Sequence, residues 1–270
     1  MRYQGYEGSA EKLIQAKLDE IEAAENIRVL RAVESGSRAW GFASPDSDYD
    51  VRFIYVRTVP SYLTLRPRRK DTIEWVVDET LDICGWDLSK TLQLAHKGNL
   101  FLFEWATSPV VYRNTATWNE VWEVVRSYFS PVAALHSYFG IAYNTNRDFL
   151  QGETVRYKKY LYALRPLLAC KFIAEHAAQP PVAFDELVAA AAPKELLPAI
   201  DQLLAAKTQM CEKDEGPRIP QVDAFVNDAL ARYAAPPATW PSEEKRRWEP
   251  LEEVFLKVLG VDGSQAGWGN

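Results

Sequence analysis

Between Ile27 and Val56 the chain reads as strand, break and strand, and this unit constrains the fold more than any other stretch. Ile27 to Val33 alternates at period two, with Ile27, Val29, Arg31 and Val33 on one side. Ser35-Gly36-Ser37 stops that strand and opens a short turn or helix. A second strand runs from about Tyr49 to Val56, entered through Asp48-Tyr49-Asp50. Residues two apart on a strand share a face, so Asp48 and Asp50 hold two carboxylates side by side at the mouth of a sheet.

The surrounding sequence supplies the rest of that sheet. Ser9 caps a helix in which Ile14, Leu18 and Ile21 recur, through about Ala24. Thr72 to Val77 and Leu81 to Trp86 read as further strands joined by the polar turn Asp78-Glu79-Thr80. Asp87 caps a helix to about Lys97, and Asn99 caps a short one ending at Ser108-Pro109. From Trp118 onward the pattern is helical: Val132 to Leu150, Val155 to Ala177, Phe184 to Ala191, Glu195 to Cys211, Val222 to Tyr233 and Ser242 to Leu259. The expected class is α+β. A small mixed, palm-like sheet domain occupies 1–115, an all-helical domain 116–260 closes over the ligand, and 261–270 form a loose tail.

Two carboxylates held this close repel one another and favour protonation unless a cation lies between them. A divalent metal with oxygen ligands is the natural occupant, and Mg²⁺ uses one or two carboxylates plus substrate phosphate oxygens. Gly36 lets the backbone approach a phosphate, and Ser37 offers a hydroxyl and an N–H to its oxygens. Asp82, set between Leu81 and Ile83, is an unfavourable place for a charge unless it faces a metal or partner, which makes it the third carboxylate. Asp87 competes for that role, but a helix cap explains it more simply, and Asp78 is weaker still. Together these groups suit in-line attack on the α-phosphate of a nucleoside triphosphate. Asp48 and Asp50 would hold two metals, and Asp82 would bind the first or act as base.

Bulk properties narrow the field. A net charge of −6 argues against coating nucleic acid by electrostatics alone, although a bound metal reverses the local field. Cys84, Cys170 and Cys211 are far apart and odd in number, which fits reduced thiols in a cytoplasmic protein rather than disulfides or a zinc site. His96, His136 and His176 lack ligand spacing. No membrane span or secretory leader is legible.

The string Gly36-Ser-Arg-Ala-Trp-Gly-Phe-Ala-Ser-Pro-Asp-Ser-Asp-Tyr-Asp-Val-Arg52, with the later Asp82, resembles the nucleotidyltransferase superfamily of DNA polymerase β. More narrowly it looks like the predicted nucleotidyltransferases associated with RNA ligases. Gly85-Trp-Asp-Leu-Ser-Lys90, Glu104-Trp-Ala-Thr-Ser-Pro109 and Tyr157-Lys-Lys-Tyr-Leu-Tyr-Ala-Leu-Arg-Pro166 extend the likeness to roughly residues 30–180. It implies an NTP donor, ATP favoured, with Mg²⁺ or alternatively Mn²⁺, RNA as first choice of acceptor, and a functional link to an RNA ligase. A protein side chain or a small molecule such as an aminoglycoside would use the same residues. A different class, a non-catalytic nucleotide sensor or antitoxin-like partner, has no need of all three carboxylates.

Several cations admit two readings. Arg38 and Arg52 fit triphosphate contacts, and Arg52 shares the face of Asp50, where a structural ion pair is the alternative. Lys158, Tyr162 and Arg165 recur at helical spacing, either as a stripe that stacks a base and holds phosphates or as a solvated helix face. Arg66, Arg68, Arg69 and Lys70 form a basic run that contacts phosphate or is solvated surface, and Lys90 reads as surface.

Overall fold

The computed structural model describes residues 9–44, 47–65, 70–78, 80–209, 215–235 and 246–261. Arg66, Arg68, Arg69, Asp46, Cys211, the start of the last expected helix and the tail from 262 lie outside the described residues. In chain order the elements are α1 (Ala10–Glu25), β1 (Ile27–Glu34), α2 (Gly36–Ala39), β2 (Tyr49–Arg57), α3 (Val59–Tyr62), β3 (Thr72–Asp78), β4 (Leu81–Asp87), α4 (Leu88–His96), α5 (Leu100–Ala106), β5 (Val111–Asn114), α6 (Ala116–Val125), α7 (Pro131–Phe149), β6 (Thr154–Arg156), α8 (Tyr157–His176), α9 (Phe184–Ala191), α10 (Leu197–Gln209), β7 (Glu215–Pro217), α11 (Pro220–Arg232) and α12 (Glu249–Leu259). The class is α+β, as the sequence predicts. The expected caps are formed: Ser9, Asp87 and Asn99 accept from the backbone N–H groups of Lys12, Ser89 and Leu102.

The main sheet has the order β3-β4-β2-β1-β5. β2 and β4 run parallel, and every other neighbouring pair is antiparallel. Two apolar layers cover it. Leu13, Ile14, Leu18 and Ile21 of α1 pack on Val29, Ala32, Val51, Phe53, Leu81 and Ile83. On the opposite face Leu30, Ile54 and Val56 meet α4, α5, α6 and α12 through Leu92, Phe103, Trp118 and Leu251. The uniform alternation expected from Ile27 to Val33 fails at a bulge between Val29 and Arg31. Leu30 keeps its place in the second layer, and the extra residue turns Arg31 to that side, where it donates to Ala106 O, and brings Ala32 round to α1.

Helices α7 to α11 build a separate core around α8, with Tyr138, Leu161, Leu164, Leu168, Phe184 and Leu187 buried in it. The run expected as one helical domain from 116 therefore divides by packing, because α6 and α12 share their core with the sheet. The short pair β6–β7 also interrupts the stretch expected to be helical, and Val155 lies in β6 rather than α8. No helix among the described residues is long and apolar enough to cross a membrane.

Candidate active site

Along β2 the side chains of Val51, Phe53 and Tyr55 turn towards α1, which leaves Asp50, Arg52 and Ile54 on the other face. On β4 the same alternation puts Asp82, Cys84 and Trp86 on that face. The parallel register sets Asp50 directly against Asp82 and Arg52 against Cys84. Further along, the face is covered: Trp86 stacks on Trp105 of α5 at 3.7 Å, and Ile54 is wholly buried. At the Asp50–Asp82 end the sheet opens, and the two carboxyl groups are 37% and 44% exposed.

The turn after β1 arches over this end. Ser35 N–H donates to Asp50 O at 2.9 Å, which anchors α2 beside β2. Gly36 has φ +63°, and a Cβ there would run into the Asp50 carboxylate. Both its backbone conformation and the close approach require glycine. Ser37 is buried within α2.

Asp48 stands just before β2 and is exposed. The expected site of three converged carboxylates is thus a registered pair with Asp48 at its rim, and among the described residues no three His, Cys, Asp or Glu groups already form a metal cage. The three still feel one another. The Asp50 pKa is raised, first by burial and then by the charges of Asp82 and Asp48, while Arg52 and Lys158 pull it down. An all-oxygen donor set of neighbouring carboxylates fits a hard divalent cation such as Mg²⁺ or Mn²⁺, which takes its remaining ligands from water and phosphate.

Asp87 cannot join this group. It lies five residues along β4, about 16 Å away at strand rise. There it is 3% exposed, caps α4 and accepts from the Tyr62 hydroxyl at 3.1 Å. Lys90 is likewise engaged at that far end, 3.0 Å from Asp71.

The expected phosphate ligands separate into groups. Arg52 bridges the carboxylates, 2.9 Å from Asp50 and 2.8 Å from Asp82. Arg38 donates through Nε to the carbonyls of Ser47 and Asp48 at 3.2 and 3.0 Å and stacks on the Tyr49 ring at 3.8 Å. In this arrangement it fixes the loop that carries Asp48. Lys158 reaches the site electrostatically, and its ammonium lies 5.6 Å from the Tyr162 ring.

Arg165 does not lie on the solvated helix face that the sequence allowed. It is 3% exposed and forms a 2.8 Å ion pair with Glu104, which also accepts from the Tyr138 hydroxyl at 2.7 Å. The Arg165 guanidinium lies 4.4 Å from the Trp40 ring, and Phe184 N–H donates to Trp40 O at 2.8 Å. The residue that ends α2 is thereby pinned into the helical core. Nothing local in the sequence signals this role of Trp40, although it lies between Gly36 and Arg52.

Sequence reasoning also missed Glu34. At 1% exposure it accepts from Asp50 N–H at 2.7 Å and from the Tyr112 hydroxyl. Burial pushes its pKa up to about 7 against those hydrogen bonds. A strand-terminal glutamate carries no local signal of this, because its partners lie 16 and 78 residues away.

Known proteins resemble this chain over most of its length. A protein of Bacillus subtilis (strain 168) called "Uncharacterized protein YcgL" is 39% identical over 248 residues, covering 90% of this chain and 94% of that one. A solved nucleotidyltransferase-like protein from Exiguobacterium sibiricum 255-15 aligns with 94% of this chain and 80% of its own at 14% identity, with a TM-score of 0.31. The model of the RNA repair pathway DNA polymerase beta family matches residues 10–257, the whole span from α1 into α12. With that span matched, the chain belongs to the RNA repair pathway DNA polymerase beta family, a nucleotidyltransferase group of the polymerase β superfamily.

Proposed function

We propose that the protein is a divalent-metal-dependent nucleotidyltransferase of the cytoplasm that moves a nucleoside monophosphate from an NTP, ATP for preference, to a hydroxyl or phosphate of RNA, releasing pyrophosphate. The observation that carries this reading is the registered pair Asp50 and Asp82 beneath the Gly36 turn. Asp48, Asp50 and Asp82 are the groups that would hold two Mg²⁺ ions, with Mn²⁺ as the alternative. When bound, the ions would supply charge neutralisation at the phosphates and a more acidic acceptor hydroxyl.

The chain's own residues do the rest. The Gly36-Ser37 turn brings backbone N–H groups towards phosphate oxygens. Lys158 and Tyr162 offer a charge and a ring on the helical side, and Arg38 steadies the loop bearing Asp48. With a hydroxyl acceptor, its oxygen bonds to the α-phosphorus, the bridging P–O bond to the β-phosphate breaks with its electrons leaving on pyrophosphate, and the hydroxyl proton passes to Asp82. The helices α7 to α11 would close over the nucleotide, since Trp40 joins them to the turn. RNA is chosen because the family is described by an RNA repair pathway, and the likeness to ligase-associated enzymes adds a functional link to an RNA ligase.

The test is incubation with each labelled NTP, Mg²⁺ and total RNA. Label in RNA with stoichiometric pyrophosphate is expected. Label on protein or on a small molecule would keep the chemistry and move the acceptor. Magnesium-dependent nucleotide binding without any product or pyrophosphate would instead mark a sensor or antitoxin-like module.

A further inference from the structure

We infer that Arg52 is a built-in counter-cation that occupies the Asp50–Asp82 pair in place of a metal ion and must withdraw before a divalent cation binds there. The inference rests on the reading of these carboxylates as metal ligands.

One nitrogen carries the arrangement. Arg52 Nη2 lies 2.9 Å from Asp50 Oδ1 and 2.8 Å from Asp82 Oδ2, so a single charged group spans both strands. Two adjacent carboxylates attract such a bridge, because their mutual repulsion is otherwise uncompensated. The position suits a metal for the same reason, but a guanidinium and a divalent cation repel and cannot share one pair of oxygens. The remaining ties of Arg52 run from Nη1 to the carbonyls of Val51 at 3.0 Å and Asp82 at 3.3 Å. These are backbone contacts on an open sheet end, and releasing them costs no buried partner its charge. Arg165 differs in this respect, since its carboxylate partner is 9% exposed while those of Arg52 are 37% and 44% exposed.

A consequence follows for the order of events. Without nucleotide, Arg52 holds the pair and metal binding is weak. A triphosphate brings fresh anionic oxygens that can take up the guanidinium by bidentate hydrogen bonds while the metal takes the carboxylates. Metal and nucleotide then favour each other's binding, and that coupling is reciprocal.

The experiment measures Mn²⁺ binding to the full chain by electron paramagnetic resonance, with and without a non-hydrolysable ATP analogue, for wild type, Arg52→Gln and Arg52→Lys. Arg52→Gln should bind Mn²⁺ alone at least about tenfold more tightly than wild type, since one repelling charge is gone. The nucleotide should then tighten Mn²⁺ binding less in Arg52→Gln than in wild type, and Arg52→Lys should fall between. Circular dichroism of each variant checks the fold. Equal or weaker Mn²⁺ binding by a folded Arg52→Gln would show Arg52 to be a structural ion pair and overturn the inference. If wild type binds Mn²⁺ with nucleotide but Asp50→Asn binds it equally well, the metal reading of the carboxylates fails, and the inference with it.

Discussion

Gly36 and Asp50 compete for one volume: the Asp50 carboxylate fills the space into which any side chain at Gly36 would project. Because φ at Gly36 is +63°, Gly36→Ala meets two penalties at once. The left-handed conformation costs about 1–2 kcal/mol for a residue with a Cβ. The larger effect is on geometry, since the methyl displaces the carboxylate or lifts the turn. Transfer should fall by about 10²-fold, the scale for a misplacement near 1 Å. The melting temperature should drop only modestly. Thermal denaturation beside the labelled-NTP assay checks both, and a fully active Gly36→Ala would remove the turn from the site.

Glu34 gives the stability a pH dependence. Its folded pKa is about 7 against an ordinary 4.5, with burial as the main cause. Between those values the folded protein holds a proton that the unfolded chain has lost, so this group stabilises the fold as pH falls from about 7 to 4.5. Above 7 it is ionised in both states and its charge is a burden, of about 3 kcal/mol for a shift of this size. Glu34→Gln keeps an oxygen for Asp50 N–H and can donate to the Tyr112 oxygen. The variant should be more stable than wild type at pH 8, with the gain fading towards pH 5. Urea melts across that range measure it, and a pH-independent difference would contradict it.

What could be read in advance follows from the range of each interaction. The Gly36 turn, the strand aspartates and the caps at Ser9, Asp87 and Asn99 are local, and their residue types carry the signal. Asp82 was legible because a charge between apolar strand residues needs a reason. The bulge beside Leu30 was hidden, since both registers of β1 present apolar residues and only the second layer of helices decides between them. Strands β5, β6 and β7 have four residues or fewer, too short for a period to show. Arg165 misled for a different reason: helical spacing gives a face but not what covers it. Its partner Glu104 lies 61 residues away.

Arg165 therefore carries a prediction about stability first. Arg165→Met removes one member of a nearly fully buried pair and leaves Glu104 without its cation. Loss of a buried partner costs about 3–5 kcal/mol. Adding Glu104→Gln should recover much of this, because the amide still accepts from the Tyr138 hydroxyl. Chemical denaturation of both single variants and the double variant measures the coupling. Additive losses would show that the pair does not act as a unit. A phosphate-binding role would instead raise KM without touching the melt.

Asp50 separates function from stability most directly. Its pKa is raised, by burial first, even with Arg52 beside it, so ionising Asp50 opposes folding at neutral pH. Below its ordinary value near 3.8 the group is protonated in both states and that penalty vanishes. Asp50→Asn should thus be at least as stable as wild type at pH 7, with the difference shrinking on acidification. Transfer should nonetheless fall by about 10³-fold or more, since an amide cannot neutralise a cation. Asp48→Asn should also abolish transfer, with little change in stability, because Asp48 is exposed. Both variants can be compared in one experiment, thermal melts at pH 7 and pH 4 beside pyrophosphate release with ATP and Mg²⁺. A site that evolution placed for chemistry rather than for folding should gain stability as it loses activity. Asp50→Asn retaining near wild-type turnover would take Asp50 out of the metal site and leave it as a strand-end counter-charge for Arg52.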